Sequence, residues 1–414
     1  MSGPRTAPHR QDFSMTHRPP SAFEPQEGDG VLPPGDAGAP QPGDFGAASA
    51  RAATAARFAV AARQIEEGKL RFPLPGSWAT GLRFAALRGV AEEDLAVARL
   101  VEGHTDALAI LAELGGPPPA PGQRWGVWAA EPPGEGVRAH HDARADTWTL
   151  SGLKQYASGA HSCTHALVTA RTEDGPRLFA VRLDRGTTPE ESGTPEKPGT
   201  FDEPGTPGEP GTFEESGARS DLRPDTGPGT YEPVPGTWPA LGMAGSDTPD
   251  VRFDGAPALP VGGVDAYVRR PGFAHGGVGV AACWLGGAHA VTGALRRAAA
   301  RRGSPFTDAH LGAVDVELYA AGLVLERAAA EIDADPEDAA GGAEQRALRV
   351  RALVAACCER VLTHVGRATG AGPLCHDARH ARAVADLTVY VRQHHAERDL
   401  AVLGAHVAGR AEEA

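Results

Sequence analysis

The 414-residue sequence predicts an α+β protein with an N-terminal α-helical domain, a middle antiparallel β domain and a C-terminal four-helix bundle. Two patterns predict this order. Apolar residues recur at steps of three and four near both ends of the chain, as on the buried face of a helix. Between them, apolar and polar residues alternate, which is typical of strands. The predicted boundaries are a disordered tail over 1–50, helices over 51–122, strands over 123–260 and the bundle over 261–414.

The N-terminal helical domain is predicted from two apolar stripes. The residues at helical spacing are Phe58, Ala62 and Ile65, and then Leu100, His104, Leu108 and Leu111. The turn GGPPPAPG over 115–122 ends this block, because neither Gly nor Pro readily continues a helix.

The middle domain is predicted from alternation on either side of an acidic insert. RLFAVRLDR precedes the insert and VRFDG follows it. Residues 187–237 hold eleven Asp and Glu against three Lys and Arg, and Gly-Thr recurs there with a six-residue period. A hexapeptide period can also mark a β-helix, but that fold needs inward apolar residues where this repeat has Pro, Glu and Asp. We therefore predict a disordered insert.

The C-terminal bundle is predicted from two further stripes and one uncharged segment. The stripes are Leu311, Val314, Leu318, Gly322, Leu325 and Ile332, and then Val350, Val354, Cys357, Val361 and Val365. Residues 271–295 contain no Asp, Glu, Lys or Arg, which raises the question of a membrane span. Seven glycines and two histidines leave the segment without the Leu, Ile and Val density of a spanning helix. We expect a buried helix and no membrane span.

Composition and charge exclude several classes of protein. The formal net charge of −13 disfavours nucleic acid as a partner. Five cysteines without a CxxC spacing argue against a disulfide framework and a structural zinc site. His376 and His380 lie one helical turn apart beside Cys375, but no third ligand follows at a suitable spacing, so no metal is predicted. With no apolar secretory segment after Met1, the expected location is cytoplasmic.

Four stretches, in order, resemble motifs of the acyl-CoA dehydrogenase superfamily. They are RWGVWAAEPP at 124–133, GLKQYASGA at 152–160, ALGMAGSDTPDVRFDGAPALP at 240–260 and HDARHAR at 376–382. The resemblance covers roughly residues 52–405 without the insert. It implies the fold of that superfamily, an FAD cofactor with FMN as the alternative, and a homodimer or homotetramer.

The resemblance also implies a set of flavin-binding residues. In the family, the first two stretches lie against the isoalloxazine ring, which would place Trp128, Ala129 and Ala130 beside it. Tyr156 would supply the aromatic packing, and Ser158 a hydroxyl near the N5 edge. Ala130 stands where the family usually has Thr or Ser, and Gly159 replaces an Asn, so one ring contact is missing.

A basic residue further along the chain is a candidate for the far end of the cofactor. The segment RRGSPF at 301–306 resembles an Arg-containing motif that meets the flavin pyrophosphate across a subunit boundary. Arg302 is the candidate, because a guanidinium suits a phosphate.

The residue that the dehydrogenases use as their base is missing. They remove the α-proton of an acyl-CoA with a glutamate that follows a tyrosine, while hydride passes to the flavin. Here Val391 follows Tyr390, and the family's alternative position falls at Arg269 and Arg270. The resemblance alone therefore does not supply an acid–base group.

Titratable side chains elsewhere are the catalytic candidates. His394, His395 and Glu397 lie within a helical turn of the missing base, and histidine titrates near neutrality. His104 stands where flavin monooxygenases of the same fold also carry a histidine. A histidine on an apolar helical stripe is nevertheless more often a satisfied core residue.

Three functions follow as alternatives. The first is FAD-dependent oxidation of an acyl-CoA or acyl thioester at a CH–CH bond. The second is a flavin-dependent monooxygenase that uses reduced flavin and O₂, favoured by the histidines and the missing glutamate. The third is a non-catalytic flavoprotein or scaffold, favoured by Ala130. A small-molecule substrate such as an acyl-CoA is the expected partner, and the sequence does not identify the electron acceptor.

Overall fold

The computed structural model describes residues 44–131, 134, 136–183 and 230–409. Ten α-helices and seven strands occur in this part of the chain. The helices are α1 (Asp44–Glu66), α2 (Thr80–Glu93), α3 (Leu95–Leu114), α4 (Ala266–Arg269), α5 (Pro271–Arg302), α6 (Pro305–Ala334), α7 (Ala343–Thr369), α8 (Gly372–His376), α9 (Ala378–Tyr390) and α10 (Glu397–Val407). The strands are β1 (Trp125–Trp128), β2 (Val137–Asp142), β3 (Thr147–Lys154), β4 (His165–Thr172), β5 (Gly175–Arg182), β6 (Thr230–Pro233) and β7 (Val251–Val261).

The N-terminal helices form where local signals and apolar periodicity agree. Asp94 caps α3 by accepting hydrogen bonds from the amides of Ala96 and Val97 at 3.0 and 3.1 Å. Gly115 ends α3 in the left-handed conformation, with φ 66°. Helix α1 begins at Asp44, so the predicted tail over 1–50 is too long by seven residues, and residues 1–43 lie outside the described part of the chain.

The strands form a single sheet that closes on itself. On one side, β4 pairs with β1 and, through a single residue pair, with β2. On its other side, β4 pairs antiparallel with β5. β7 pairs with β3 and β5, and β3 pairs with β2, which completes the ring. Most pairs are antiparallel as predicted, although β1–β4 and β2–β4 are parallel. Apolar side chains on one face of the sheet form a core with α1 and α3, and those on the other face form a second cluster with the C-terminal half of α3.

The acidic insert ends earlier than predicted. Strand β6 covers residues 230–233, inside the predicted insert of 187–237, and pairs antiparallel with β7. The hydroxyl of Tyr231 in β6 donates to the carbonyl of Ala160 at 3.2 Å. The rest of the insert, over 187–229, lies outside the described residues.

The C-terminal helices pack around α5 as a bundle. α5 contacts α2, α3, α6, α7 and α9, and contributes a large share of the buried apolar side chains there. Its glycines allow close approach: a Cβ at Gly287 would lie only 2.7 Å from Leu95 Cδ1.

The uncharged segment is a buried helix, as the sequence predicts. α5 is the one described helix that is long and apolar enough to cross a membrane, but 83% of its most apolar window is buried inside the fold. That degree of burial fits a core helix of a soluble protein. The compartment stays a prediction.

Candidate functional site

The loop after β3 is held against the end of β1. The indole nitrogen of Trp128 donates to the carbonyl of Ser158 at 2.9 Å, and the amide of Ala157 donates to the carbonyl of Pro249 at 3.0 Å. Tyr156 has a left-handed backbone, with φ 60°, and leaves 55% of its surface exposed. This conformation is uncommon for an aromatic residue, and it presents the Tyr156 ring on the outside of a fixed loop.

The Ser158 hydroxyl lies at the centre of a hydrogen-bond chain. Its oxygen accepts from Arg99 Nε at 3.3 Å and from Thr248 Oγ1 at 3.1 Å. Thr248 is itself fixed by the Ser246 hydroxyl at 2.7 Å. A serine oxygen has two acceptor positions, and both are used here. The remaining capacity of Ser158 is to donate its own hydrogen to a third group.

Helix α3 turns a charged face towards the C-terminal helices. Arg99 is ion-paired with Glu102 one turn away, and only 16% and 7% of these two side chains are exposed. Further along this face, Asp106 lies 3.9 Å from an Arg270 guanidinium nitrogen, and Glu113 lies 2.7 Å from another. The spacing of 99, 102, 106 and 113 places these side chains on one side of the helix.

Burial sets the protonation behaviour of this face. Burial raises the pKa of Glu102, and the neighbouring Arg99 only partly opposes this. Burial alone would lower the pKa of Arg99, but Glu102 outweighs it, so that this pKa is raised and the guanidinium stays charged. The site therefore contains a permanent cation bound to a carboxyl group whose proton affinity is increased.

The residue before the position of the missing base, Tyr390, lies within electrostatic reach of this cluster. Val391 is only 2% exposed, and the neighbouring Tyr390 is buried with its ring edge-on to Trp284 at 6.4 Å. Glu102 and Arg99 act electrostatically on the Tyr390 hydroxyl, whose pKa burial raises well above its usual value. The charged groups near Tyr390 therefore come from α3, because Val391 carries no charge.

His394 and His395 gather around a different carboxylate, and Glu397 follows them at the start of α10. His394 Nδ1 lies 3.0 Å and His395 Nδ1 3.2 Å from the Asp399 oxygens, and the His395 amide donates to Asp399 at 3.0 Å. Burial alone would raise the pKa of Asp399, but this amide and the two imidazoles hold it below its usual value. His395 and Glu397 are exposed. These residues form a cluster at the start of α10, and no described contact joins them to Ser158.

His104 lies on the other side of α3, against the sheet. Its Nδ1 accepts from the Trp125 amide at 3.3 Å, and its ring is edge-on to Phe58 at 6.0 Å. Burial, with a smaller effect of Arg124, lowers the pKa of His104 to about 4. His104 is therefore a neutral core residue in this arrangement, and its catalytic role stays a prediction.

Arg302 is distant from the ring site within one chain. Leu387 of α9 and Leu95 of α3 pack at Gly287 of α5, which fixes the level of the site along that helix. Arg302 lies fifteen residues further along α5, about 22 Å at 1.5 Å per residue. It is exposed at the end of α5, and its contact with a phosphate across a subunit boundary stays a prediction.

A small cleft adjoins the end of β1. It has a volume of about 10 Å³ and is lined by Ala130, Glu131, Leu153 and Lys154, among others. Lys154 is buried and donates to the hydroxyl and carbonyl of Thr169 at 2.7 and 3.0 Å. Burial lowers its pKa to about 8. The Thr169 hydroxyl in turn donates to the Ala129 carbonyl at 3.4 Å, which fixes the backbone beside Ala130.

The residues predicted to bind the ring offer one aromatic and one polar group at the same loop. Tyr156 offers an exposed aromatic face, and Ser158 offers a hydroxyl that is restricted to donation. Ala129 and Ala130 offer only backbone polar groups, and the missing ring contact at Ala130 stays a prediction. Arg99, Glu102 and Thr248 were not predicted from the sequence. The sequence feature that could have indicated Arg99 and Glu102 is an Arg and a Glu three residues apart inside the apolar pattern of α3.

No protein-family model and no curated protein matches the sequence. Solved structures match in fold. Dibenzothiophene monooxygenase TdsC from Paenibacillus sp. A11-2 gives a TM-score of 0.59 at 15% identity, over 87% of this chain and 96% of that one. Butyryl-CoA dehydrogenase from Megasphaera elsdenii gives 0.58 at 16%, over 79% and 82%. Methanesulfinate monooxygenase MsuC from Pseudomonas fluorescens gives 0.58 at 18%, over 88% and 97%.

These likenesses confirm the fold that the sequence predicts. The chain has the acyl-CoA dehydrogenase fold, with its α-helical, β and helical-bundle parts in the predicted order. TdsC has been solved with FMN and indole, and another match, KijD3, with FMN and a dTDP-linked amino-keto sugar. Identities of 14–19% establish the fold alone.

Proposed function

We propose that this chain is a flavin-dependent oxidoreductase whose ring site lies at the loop from Tyr156 to Ser158. The observation that carries the proposal is the Ser158 hydroxyl, whose two acceptor positions are occupied and whose hydrogen is therefore left to donate. The N5 edge of an oxidised flavin is an acceptor. The flavin would supply the redox chemistry, and the chain supplies orientation and electrostatics.

Several residues of this chain would hold the cofactor. Tyr156 packs against the ring face, Ser158 donates to its edge, and the backbone at Ala129 and Ala130 borders it. Arg302 of a second copy is suited to a phosphate. FAD is the cofactor predicted from the sequence. FMN is the alternative, and its presence in the TdsC and KijD3 structures supports it.

Among flavin reactions, oxygenation of a small molecule has the stronger support. A valine at position 391 cannot remove an α-proton, and it is buried among apolar side chains. Two of the matching proteins are named as monooxygenases. Dehydrogenation of an acyl thioester is the second candidate, favoured by Glu102, a buried carboxyl group with a raised pKa near Tyr390.

Flavin titration of matched variants tests the cofactor site. We expect the wild-type protein to take up FMN or FAD, and Tyr156→Ala and Ser158→Ala each to weaken uptake about tenfold, near the value of one hydrogen bond or one stacking contact. His141→Ala is the control, because that imidazole stacks on Trp148 at the far end of the β2–β3 hairpin. Equal affinity in all four proteins would place the flavin elsewhere, and no uptake at all would favour the scaffold.

The reaction class is tested on the flavin-loaded protein. Anaerobic mixing with a panel of acyl-CoA thioesters should leave the flavin oxidised if the protein is a monooxygenase. With chemically reduced flavin, ¹⁸O₂ and a panel of small aromatic and sulfur compounds, label should enter a product. Bleaching by an acyl-CoA, and its loss in Glu102→Gln, would instead establish the dehydrogenase.

A further inference from the structure

Two buried charges adjoin the ring site without an assigned role. Arg99 and Glu102 pair inside the fold, between α3 and the C-terminal helices, with side-chain exposures of 16% and 7%. A buried ion pair contributes little net stability, because desolvation offsets most of the attraction. The location of this pair is therefore more informative than its contribution to folding.

The pair is oriented towards Ser158. The guanidinium donates through Nε to the Ser158 hydroxyl, and through a terminal nitrogen to Glu102. The cation thus lies between the hydroxyl and the carboxylate. Thr248 occupies the second acceptor position of Ser158 and carries no charge. The electric field at the hydroxyl is consequently set by the Arg99 cation and by how far Glu102 neutralises it.

We propose that Arg99 and Glu102 form a positioning pair that sets the reduction potential of the bound flavin through the Ser158 hydroxyl. This rests on the proposed flavin site. Reduction adds electron density to the ring, and a nearby cation favours the reduced form. Glu102 limits that effect, so the two residues together hold the potential at an intermediate value.

Other titratable groups face the pair and are the same in all variants. They are Asp106 on α3, Arg83 on α2, Cys283 on α5 and Tyr390 on α9. Burial raises the pKa of Cys283 and of Tyr390, so both stay neutral at pH 8. Arg83 donates to the Thr105 hydroxyl at 3.3 Å and does not contact Ser158. Arg99 is the charged donor whose described contact reaches Ser158 directly.

The test is the ratio of the affinities for reduced and oxidised flavin, measured by equilibration with a reference dye at pH 8. Glu102→Gln leaves the Arg99 cation unpaired at nearly the same volume. We expect this ratio to rise roughly tenfold, which is about 30 mV for a two-electron couple. Glu93→Gln is the matched control, because that carboxylate is 73% exposed on α2 and screened by solvent.

The outcomes separate this inference from the proposed function. A purely structural role for the pair predicts a lower melting temperature in Glu102→Gln with an unchanged ratio, and that result would overturn the inference while the flavin site stands. If the wild-type protein binds neither FMN nor FAD, the proposed function fails and the inference fails with it. Should Glu102→Gln not fold, Thr248→Val weakens the polarisation of Ser158 without a change of charge, and the ratio should fall about threefold. No change there would also overturn the inference.

Discussion

The contact between α2 and α5 depends on a missing side chain at Gly286. A Cβ built there would lie 2.3 Å from the Arg88 carbonyl oxygen and 2.7 Å from the Ala91 Cβ, whereas ordinary contact begins at 3.4 Å. The obstructing oxygen belongs to a helix backbone and cannot rotate away. In Gly286→Ala the two helices must therefore separate by about 1 Å across a close-packed core.

The size of the effect is the difference between two opposing contributions. Overpacking of a core costs about 1–3 kcal/mol, and a backbone obstruction lies at the upper end of that range. Alanine is favoured over glycine inside a helix by roughly 1 kcal/mol. We therefore expect Gly286→Ala to lower the free energy of unfolding by about 2 kcal/mol.

Gly89 provides a control in the same helix pair. It lies on the exposed side of α2, and a Cβ there meets nothing within 4 Å. Gly89→Ala should raise the free energy of unfolding by up to about 1 kcal/mol through helix propensity alone. Urea denaturation of both variants, followed by far-UV circular dichroism, measures the two shifts. Shifts of the same sign would refute the packing of α2 on α5 at Gly286.

Three further predictions follow from other parts of the chain. The pKa of His104 falls from 6.5 to about 4 on folding, so the unfolded chain binds the proton first as the pH falls. The stability present above pH 6.5 is therefore lost towards pH 4, by about 1.4 kcal/mol per pH unit. In His104→Gln the urea midpoint should depend less on pH across this range, and an unchanged pH dependence would contradict this. An exposed apolar face on α6 is formed by Val316, Tyr319 and Leu323. Light scattering should therefore find a homodimer or homotetramer of the wild-type protein and a smaller species in Tyr319→Glu. A wild-type monomer at micromolar concentration would count against association through this face. Val181 and Thr230 lie opposite Ala258 and Asp254 of β7, about 13 Å apart. Deletion of 190–226 leaves nine residues between Leu183 and Thr230, with a reach of about 30 Å, so the melting temperature should stay unchanged. A large fall would show that the repeat is structural.

The periodic parts of the fold could be predicted from the sequence because their signals are local. The spacing of Leu100 and Leu111 indicated α3, and the absence of charge over 271–295 indicated a buried helix. Closure of the sheet was not predictable, because the pairing of β4 with β5 on one side and with β1 and β2 on the other depends on contacts distant in sequence. Strand β6 was missed because its four residues follow an acidic, Pro-rich repeat that outweighed them in composition.

The candidate site was predicted only in part, for a physical reason. Tyr156 and Ser158 were found through a motif, and the structure brings them together with Trp128. Arg99 and Glu102 were missed because charged residues on an amphipathic helix usually face solvent, and only tertiary packing shows that these are buried. His394 and His395 were selected by their distance in sequence from position 391, whereas the structure directs both imidazoles to Asp399.

A difference-spectrum titration of the wild-type protein with FMN and FAD tests for a flavin ring site at the Tyr156–Ser158 loop. Addition of protein to FMN or FAD should shift and sharpen the visible flavin bands, because the ring moves from water to an apolar face beside a single hydroxyl donor. The same titration with the Tyr156→Ala, Ser158→Ala double variant should need far more protein to reach the same change. A spectrum identical to that of free flavin, with both cofactors and at wild-type protein concentrations above roughly 100 times the flavin concentration, would show that no flavin ring binds at this loop.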